Sequence, residues 1–508
     1  MKLECLKPHM LLEEIVFLFT LALPTSIECF TEGIQLKLSN VFIGRSSGNN
    51  IEILLSALFI GQTAISIIAY PIAEGCAVYV NILCSQAYGA KQCKQVGLYF
   101  YRALFMSALT CIPVFTILLS VRHIVYLLFQ DWELAEYSGS YTDILCLGYP
   151  AYLYYKIGIR FLQALKVVWG PALYFIFGIA LNGILQYILI FQYNTSIQGA
   201  AAGYVISNYL VALLVFSHIQ LSHVHRTISH EWSIEFISDW YHTVRYAIVT
   251  IIQTIIGIVP ATLLPVICIG MLAGSKKQLA IYSITFSIWW LIDMCGTGFS
   301  SSITSRVGHL LGANQPKRAR KAAILDLIVA QLTIGICNLI VFVASEPLGN
   351  LFTTEASFAK ELTWNFRIMS FLLNTDIKLV IQGVMNACCK QGIQMVVRFV
   401  FQTILGSVAS VLLIHFVEWK ALSVYVQFAV ANSICSVIPL LILYCSNWDK
   451  IADVVKQNIN MKTSDVEAEE ILNLKTSVLN SKYFIVCRYL ASLAISLCIF
   501  SIILFERM

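Results

Sequence analysis

Ser85-Gln86-Ala87-Tyr88-Gly89-Ala90-Lys91-Gln92-Cys93-Lys94-Gln95 closes one long apolar run. Another closes on Ser305-Arg306-Val307-Gly308 and then Gly312-Ala313-Asn314-Gln315-Pro316-Lys317-Arg318. Both exits read Gly-Ala-x-Gln-x-Lys, at the ends of the second and the eighth apolar spans. Ordinary loop glycines do not explain why the flanking letters recur. Six spans followed by six more keep both halves in one orientation, with a symmetry axis along the membrane normal and a cleft between halves as the natural substrate site. Gly89 and Gly312 are expected to make tight turns out of the membrane.

The chain has 508 residues, 12% charged and 58% apolar, with a mean hydropathy of +0.77. Soluble domains average roughly 45–50% apolar and about 25% charged residues. The bulk of this chain must therefore face lipid or pack within it. The net charge of +5 is spread out, and no basic run points to nucleic acid. Cys76, Cys84, Cys111, Cys268, Cys295, Cys388, Cys389 and Cys435 lie in or beside apolar runs and read as small hydrophobes. No CxxC pair stands near a matching His pair, so no metal or cofactor is expected. The first apolar run contains Glu28, Glu32 and Lys37 and reads as a membrane span, not a cleavable signal.

A spanning helix needs about 20 mostly apolar residues. Such runs lie near 15–42, 52–82, 98–121, 140–162, 171–193, 198–219, 244–272, 279–304, 323–346, 362–386, 394–416, 421–445 and 484–505. The expected fold is an all-α polytopic membrane protein: two pseudo-symmetric six-helix bundles, 1–219 and 244–446, plus a thirteenth helix within 483–508. Two polar breaks separate them. The first, 220–243, carries His223, His225 and His230 and reads as a linker; the second, 447–482, reads as a cytoplasmic loop. Lys91, Lys94, Lys166, Arg306, Lys317, Arg318, Arg320, Lys321 and Lys390 crowd one set of alternate loops. Positive loops stay in the cytoplasm, which puts the N-terminus inside and the C-terminus outside. The sequon Asn194-Thr195-Ser196 then falls outside. The plasma membrane is the expected location.

Leu83-Cys84-Ser85-Gln86-Ala87-Tyr88-Gly89-Ala90 resembles the hallmark after the second helix of multidrug and toxin extrusion (MATE) transporters. Gly298-Phe299-Ser300, Ser305-Arg306-Val307-Gly308, Leu311-Gly312-Ala313-Asn314 and Ala319-Arg320 resemble the hallmark of their second half. Pro24, Leu181-Asn182 and Gly199-Ala200-Ala201 also fit, and the extra thirteenth span resembles the animal branch. The resemblance covers nearly the whole chain. It implies exchange of protons, in some branches sodium, for organic cations or other xenobiotics by a carrier expected to act as a monomer. This chain departs from the family where acids are usual: Asn81 stands five residues before the hallmark Gln86, the seventh span has no acid, and Thr285 or Ser287 stands near the eighth-span glutamate.

An ionised side chain at mid-membrane costs about 2.5–3.5 kcal/mol on insertion scales, so such residues are functional candidates. Asp376 and Asp293 lie near the middle of the tenth and eighth spans. Glu28 and Glu32 are one helical turn apart, and Gln35 and Ser39 continue their stripe. Glu74 lies nearer the cytoplasmic side of the second span, and Gln253 is the main polar side chain of the seventh. Trp289 and Trp290 could hold a cation by its charge over the ring, with one of two adjacent residues facing the cleft. The bland alternative for each acid is a structural ion pair: Lys378 is close to Asp376 in sequence, and Lys37 could reach an acid on a neighbouring helix. One buried carboxylate, neutral with a proton or paired with a cationic solute, would couple the two by competition. A same-fold transporter of another or lipid-like solute without proton coupling is the alternative. A membrane enzyme has only His415 to support it, and the repeat fits a carrier better.

Overall fold

The structure is a computed structural model that describes residues 8–45, 51–221, 244–258, 275–352, 356–372, 377–409, 412 and 421–470. The expected span near 484–505, with Asp376, His415, Pro260 and Pro265, lies outside these residues. In chain order the first half contains α1 (Pro8–Gly44), α2 (Ile51–Gly89), α3 (Cys93–Leu119), the short α4 (Val121–Phe129), α5 (Trp132–Ala164), α6 (Trp169–Tyr187) with a π turn at Ile188–Gln192, and α7 (Ser196–Leu221). The second half contains α8 (Val244–Ile258), α9 (Ser275–Gly312), α10 (Pro316–Val343), the short α11 (Ser345–Phe352), α12 (Ala356–Leu372), α13 (Lys378–Ala387), α14 (Gln391–Arg398) running into a π segment at Phe399–Leu405, α15 (Ala421–Cys445) and α16 (Trp448–Glu470).

Seven helices among the described residues are long and apolar enough to cross a bilayer. Helices suit lipid because they satisfy their own backbone groups, and Pro24, Pro71, Pro113, Pro150 and Pro439 sit inside them where neighbouring helices can compensate. Three further long helices, α1, α5 and α9, are interrupted by charge: Glu28, Glu32 and Lys37 on α1, Lys156 and Arg160 on α5, Asp293 and Arg306 on α9. These polar helices face inward. Every residue of α5 from Ala151 to Ala164 is buried, so α5 is the core of the first bundle, packed between α2 and α7. The two bundles meet where α1 and α2 lie against α9.

The repeat is visible in backbone detail. At the end of α2, Ala90 N donates to Gln86 O, Lys91 N to Tyr88 O and Gln92 N to Ala87 O. At the end of α9, Ala313 N donates to His309 O, Asn314 N to Leu311 O and Gln315 N to Leu310 O. The same pattern ends α5 at Leu165, Lys166 and Val167, and α13 at Cys388, Cys389 and Lys390. Each turn places one residue in the left-handed region: Lys91 (φ 60°), Lys166 (φ 66°), Asn314 (φ 55°) and Cys389 (φ 57°). Lys91 and Lys166 are as far apart in sequence as Asn314 and Cys389.

This geometry corrects the role expected of Gly89 and Gly312. Both are the last helical residue and neither has positive φ; the residue two further on makes the turn. The glycines instead permit close packing between the halves. A Cβ on Gly89 would lie 2.2 Å from His309 O, and one on Gly312 would lie 2.0 Å from Gln86 O. Gly308 is equally confined, 2.3 Å from Ser85 Oγ. The two hallmark stretches are therefore each other's packing partners.

Candidate functional site

A cavity of about 1050 Å³, open solvent included, lies between the bundles. The first bundle supplies Glu32 from α1, Tyr70, Glu74 and Asn81 from α2, and Lys156 and Arg160 from α5. The second supplies Thr254 from α8, Trp289, Trp290 and Asp293 from α9, and Lys378, Gln382 and Arg398 from α13 and α14.

Glu28 and Glu32 fall on the buried stripe read from the sequence, 1% and 3% exposed, with Gln35 and Ser39 buried along it. What the sequence reading missed is their counterpart. Lys156 and Arg160 are also one turn apart, on α5, and face them at 3% and 1% exposure. Lys156 Nζ lies 2.7 Å from Glu32 Oε2 and 3.1 Å from Glu74 Oε2. Arg160 Nη2 lies 3.1 Å from Glu74 Oε1, and Nη1 lies 4.0 Å from Glu28 Oε2. Tyr70 donates to Glu32 Oε1 at 2.9 Å, and Gln163 Nε2 donates to Glu28 Oε2 at 2.7 Å. Among the described residues, Glu28 Oε1 is buried without a hydrogen-bond partner. Three carboxylates thus share two cations, and Glu28 holds the most distant share.

Around this cluster the bundles are stitched together. Arg160 Nη1 donates to Ser301 Oγ at 2.9 Å, and Ser301 Oγ donates to Gln163 Oε1 at 2.6 Å. Asn81, where family members carry an acid, donates to Ser301 O at 3.0 Å and accepts from Ser305 Oγ at 2.6 Å. Thr25, beside Pro24, shares a 2.6 Å hydrogen bond with Ser302. Gln86 donates to Ala387 O at 2.9 Å, and Arg306 grips Glu14 at 2.6 Å. These contacts run from cavity-lining Asn81, Arg160 and Ser301 to the hallmark residues Gln86 and Arg306, and they close the bundles together at that end.

On the second bundle's wall, Lys378 Nζ lies 4.0 Å from Asp293 Oδ1 and 5.0 Å from the Trp289 ring centre. Both indoles border the cavity, where the sequence reading allows one, because large adjacent side chains can flank it from either side. Gln253 is buried behind the wall and donates to Asn386 Oδ1 at 3.4 Å. Thr285 is buried and bonds back to Ile281 O. Lys37 reaches Gln62 Oε1 at 3.2 Å rather than an acid. Arg398, also unforeseen, donates to Gln382 at 2.7 Å and to Gln402 at 3.2 Å. The signal in both cases was a cation inside an apolar run.

Charged groups gathered on a cavity between two repeated bundles of membrane helices define a transporter. The model of the multidrug and toxin extrusion (MatE) family matches residues 24–188 and 246–412, and the chain belongs to that family. It is a multi-pass membrane transporter, not an enzyme. Multidrug and toxin extrusion protein 1 of Danio rerio is 24% identical over 461 residues, 88% of this chain and 75% of the relative. The Homo sapiens protein of the same name is 23% identical, over 91% of this chain and 80% of its own length. Among solved structures, the eukaryotic MATE transporter AtDTX14 superposes with a TM-score of 0.82 at 21% identity, covering 88% of this chain and 99% of that one. A Pyrococcus furiosus transporter of the MOP superfamily, described as having a binding pocket of reverse polarity, superposes with a TM-score of 0.74 at 15% identity, over 87% of this chain and 96% of its own.

Proposed function

We propose that this chain exports small organic solutes through the cavity between its bundles in exchange for protons, with Glu28 as the proton-carrying group. The observation that carries this reading is the buried cluster in which Glu28, Glu32 and Glu74 share Lys156 and Arg160, leaving Glu28 Oε1 without a partner. A surplus negative charge in a low-dielectric interior is costly. A proton on Glu28 or a cationic group in the cavity removes the surplus equally well. The two therefore compete, and competition for one site is enough to couple their flows. Tyr70, Tyr152, Tyr155, Tyr204 and Cys29 also lie around the cluster, and a phenol or a thiol does not match a carboxyl as a proton carrier near neutral pH.

Alternating access supplies the rest. Positive loops favour placing the hallmark end in the cytoplasm, so the closed hallmark end corresponds to a carrier shut from the cytoplasm. A ligand shifts such a two-state equilibrium only through its different affinity for the two states. Arg160 links charge to shape here, since it touches Glu28 and Glu74 on its own bundle and Ser301 on the other. The names of the relatives suggest drugs and toxins as cargo, and the plasma membrane remains the expected site. Glu32 and Glu74 border the cavity and Glu28 is buried beside them, while Asp376 lies outside the described residues.

The test is proton release on binding. In weakly buffered detergent solution, benzyltrimethylammonium added to the purified protein should release protons. Glu28→Gln should release none and still bind the cation, though more weakly. Unchanged release from Glu28→Gln would put the proton elsewhere. No release from the native chain would favour the same fold working without proton coupling.

A further inference from the structure

The polar stretch 447–482 contains α16, whose Trp448, Ile451, Ala452, Val455 and Ile459 recur at three- and four-residue spacing and are all buried. Asp449, Lys450, Asp453, Lys456 and Gln457 between them are exposed. The apolar stripe of this amphipathic helix is seated on the second bundle, in one apolar cluster with Leu310 and Leu311 of α9 and Ala319 and Ala322 of α10. At its root, Lys390, just ahead of α14, donates to Ser446. The helix also reaches the first bundle. It lies against α2, and Ala90 of the first hallmark turn packs on the same cluster. Gln95 of α3 donates from Nε2 to Ile459 O at 3.2 Å, and Tyr99 fixes that amide by donating to Gln95 Oε1 at 3.0 Å. Gln95 is buried, so this bond is made away from water.

We infer that α16 is a clasp across the hallmark seam: it stays with the second bundle and releases the first each time the carrier opens at that end. The two holds differ in strength. Burial of five side chains outweighs a hydrogen bond, so the Gln95 bond is the one that breaks when the bundles part. Gln95 is therefore a positioning residue, which acts through α16 on how much of the time the seam is shut. The contacts Thr25–Ser302 and Glu14–Arg306 join helices of the two bundles directly. The clasp adds a hold supplied by a segment outside both six-helix halves. It needs bundles that part at the hallmark end, and it stands whichever group carries the proton.

The test uses Cys388, buried at this seam, in the full chain in detergent without solute. Its labelling by a water-soluble maleimide, read by mass spectrometry of its peptide, reports how often the hallmark end opens. Gln95→Met keeps the reach of the side chain and removes the donor. Labelling should rise about fivefold, the worth of one hydrogen bond. A disturbed α3 would give the same rise, so the second variant works from the other side. Val455→Asp puts a charge into the apolar stripe and detaches α16, and labelling should rise again. Adding Gln95→Met to Val455→Asp should then change nothing further, since a detached α16 leaves Gln95 no carbonyl to hold. The inference is overturned if either single variant labels like the native chain, or if Gln95→Met raises labelling by the same factor with Val455→Asp as without it. Proton release by a cation is read separately, so a failed clasp leaves the reading of Glu28 untouched.

Discussion

At the scale of single residues, the molecule turns on charges that only make sense in groups. Breaking a buried ion pair by removing one partner costs about 3–5 kcal/mol, because the other charge stays buried and uncompensated. Arg160→Met strips Glu74 and Glu28 of a cation and also cuts the link to Ser301. It should lower the midpoint of thermal unfolding sharply, as read by a dye that reports newly exposed cysteines. Glu28→Gln is the opposite case, since an amide replaces a carboxyl whose second oxygen has no partner. Its midpoint should stay within a few degrees of the native chain. Half of this cluster was legible in the sequence. Glu28, Glu32, Gln35 and Ser39 stood out because a polar stripe at helical spacing inside an apolar run needs an explanation. Lys156 and Arg160 obey the same spacing on α5, yet they lie among tyrosines in a run whose apolar total hides them. The pairing itself could not be read from the sequence, since it joins three helices, Lys156 to Glu32, 124 positions away, and Arg160 to Glu74, 86 positions away.

At the scale of helices, the hallmark motifs were legible as a repeat but their mechanics were not. The recurrence of Gly-Ala-x-Gln-x-Lys is a property of the letters. Which letter turns the chain depends on φ, and the structure assigns that to Lys91 and Asn314. The glycines serve contacts with the opposite half, which no local pattern reveals. Two expectations separate these roles. Gly312→Ala places a methyl group 2.0 Å from Gln86 O, so the hallmark end must open to accept it. Labelling of Cys388, 4% exposed in the closed form, by a water-soluble maleimide should rise severalfold, read by mass spectrometry of its peptide. Asn314→Gly relieves a left-handed residue instead, and neither Cys388 labelling nor the unfolding midpoint should worsen. Equal labelling in native chain and Gly312→Ala would mean that the glycine contact does not hold that end shut.

At the scale of the whole molecule, the account requires two bundles that part and rejoin. Composition and span count were sufficient to read the membrane fold, because apolar length is additive along the chain. The closed hallmark end was not legible, since it is held by pairs such as Thr25–Ser302, Asn81–Ser305 and Glu14–Arg306 that meet only across the interface. Thr25 Oγ1 and Ser302 Oγ lie 2.6 Å apart, close enough for a disulfide between cysteines placed there. Thr25→Cys with Ser302→Cys should cross-link under oxidation and stop transport, and reductant should restore it. Activity that survives a complete cross-link would mean the bundles need not separate at this seam.

The most direct measurement of the central claim is proton flux into proteoliposomes holding a pH-sensitive dye, with benzyltrimethylammonium trapped inside and an acidic exterior. The account predicts that the native chain lets protons in only when the cation is present, and that Glu28→Gln, equally well folded and inserted, admits none. Cation-dependent proton entry that is undiminished in Glu28→Gln would contradict it.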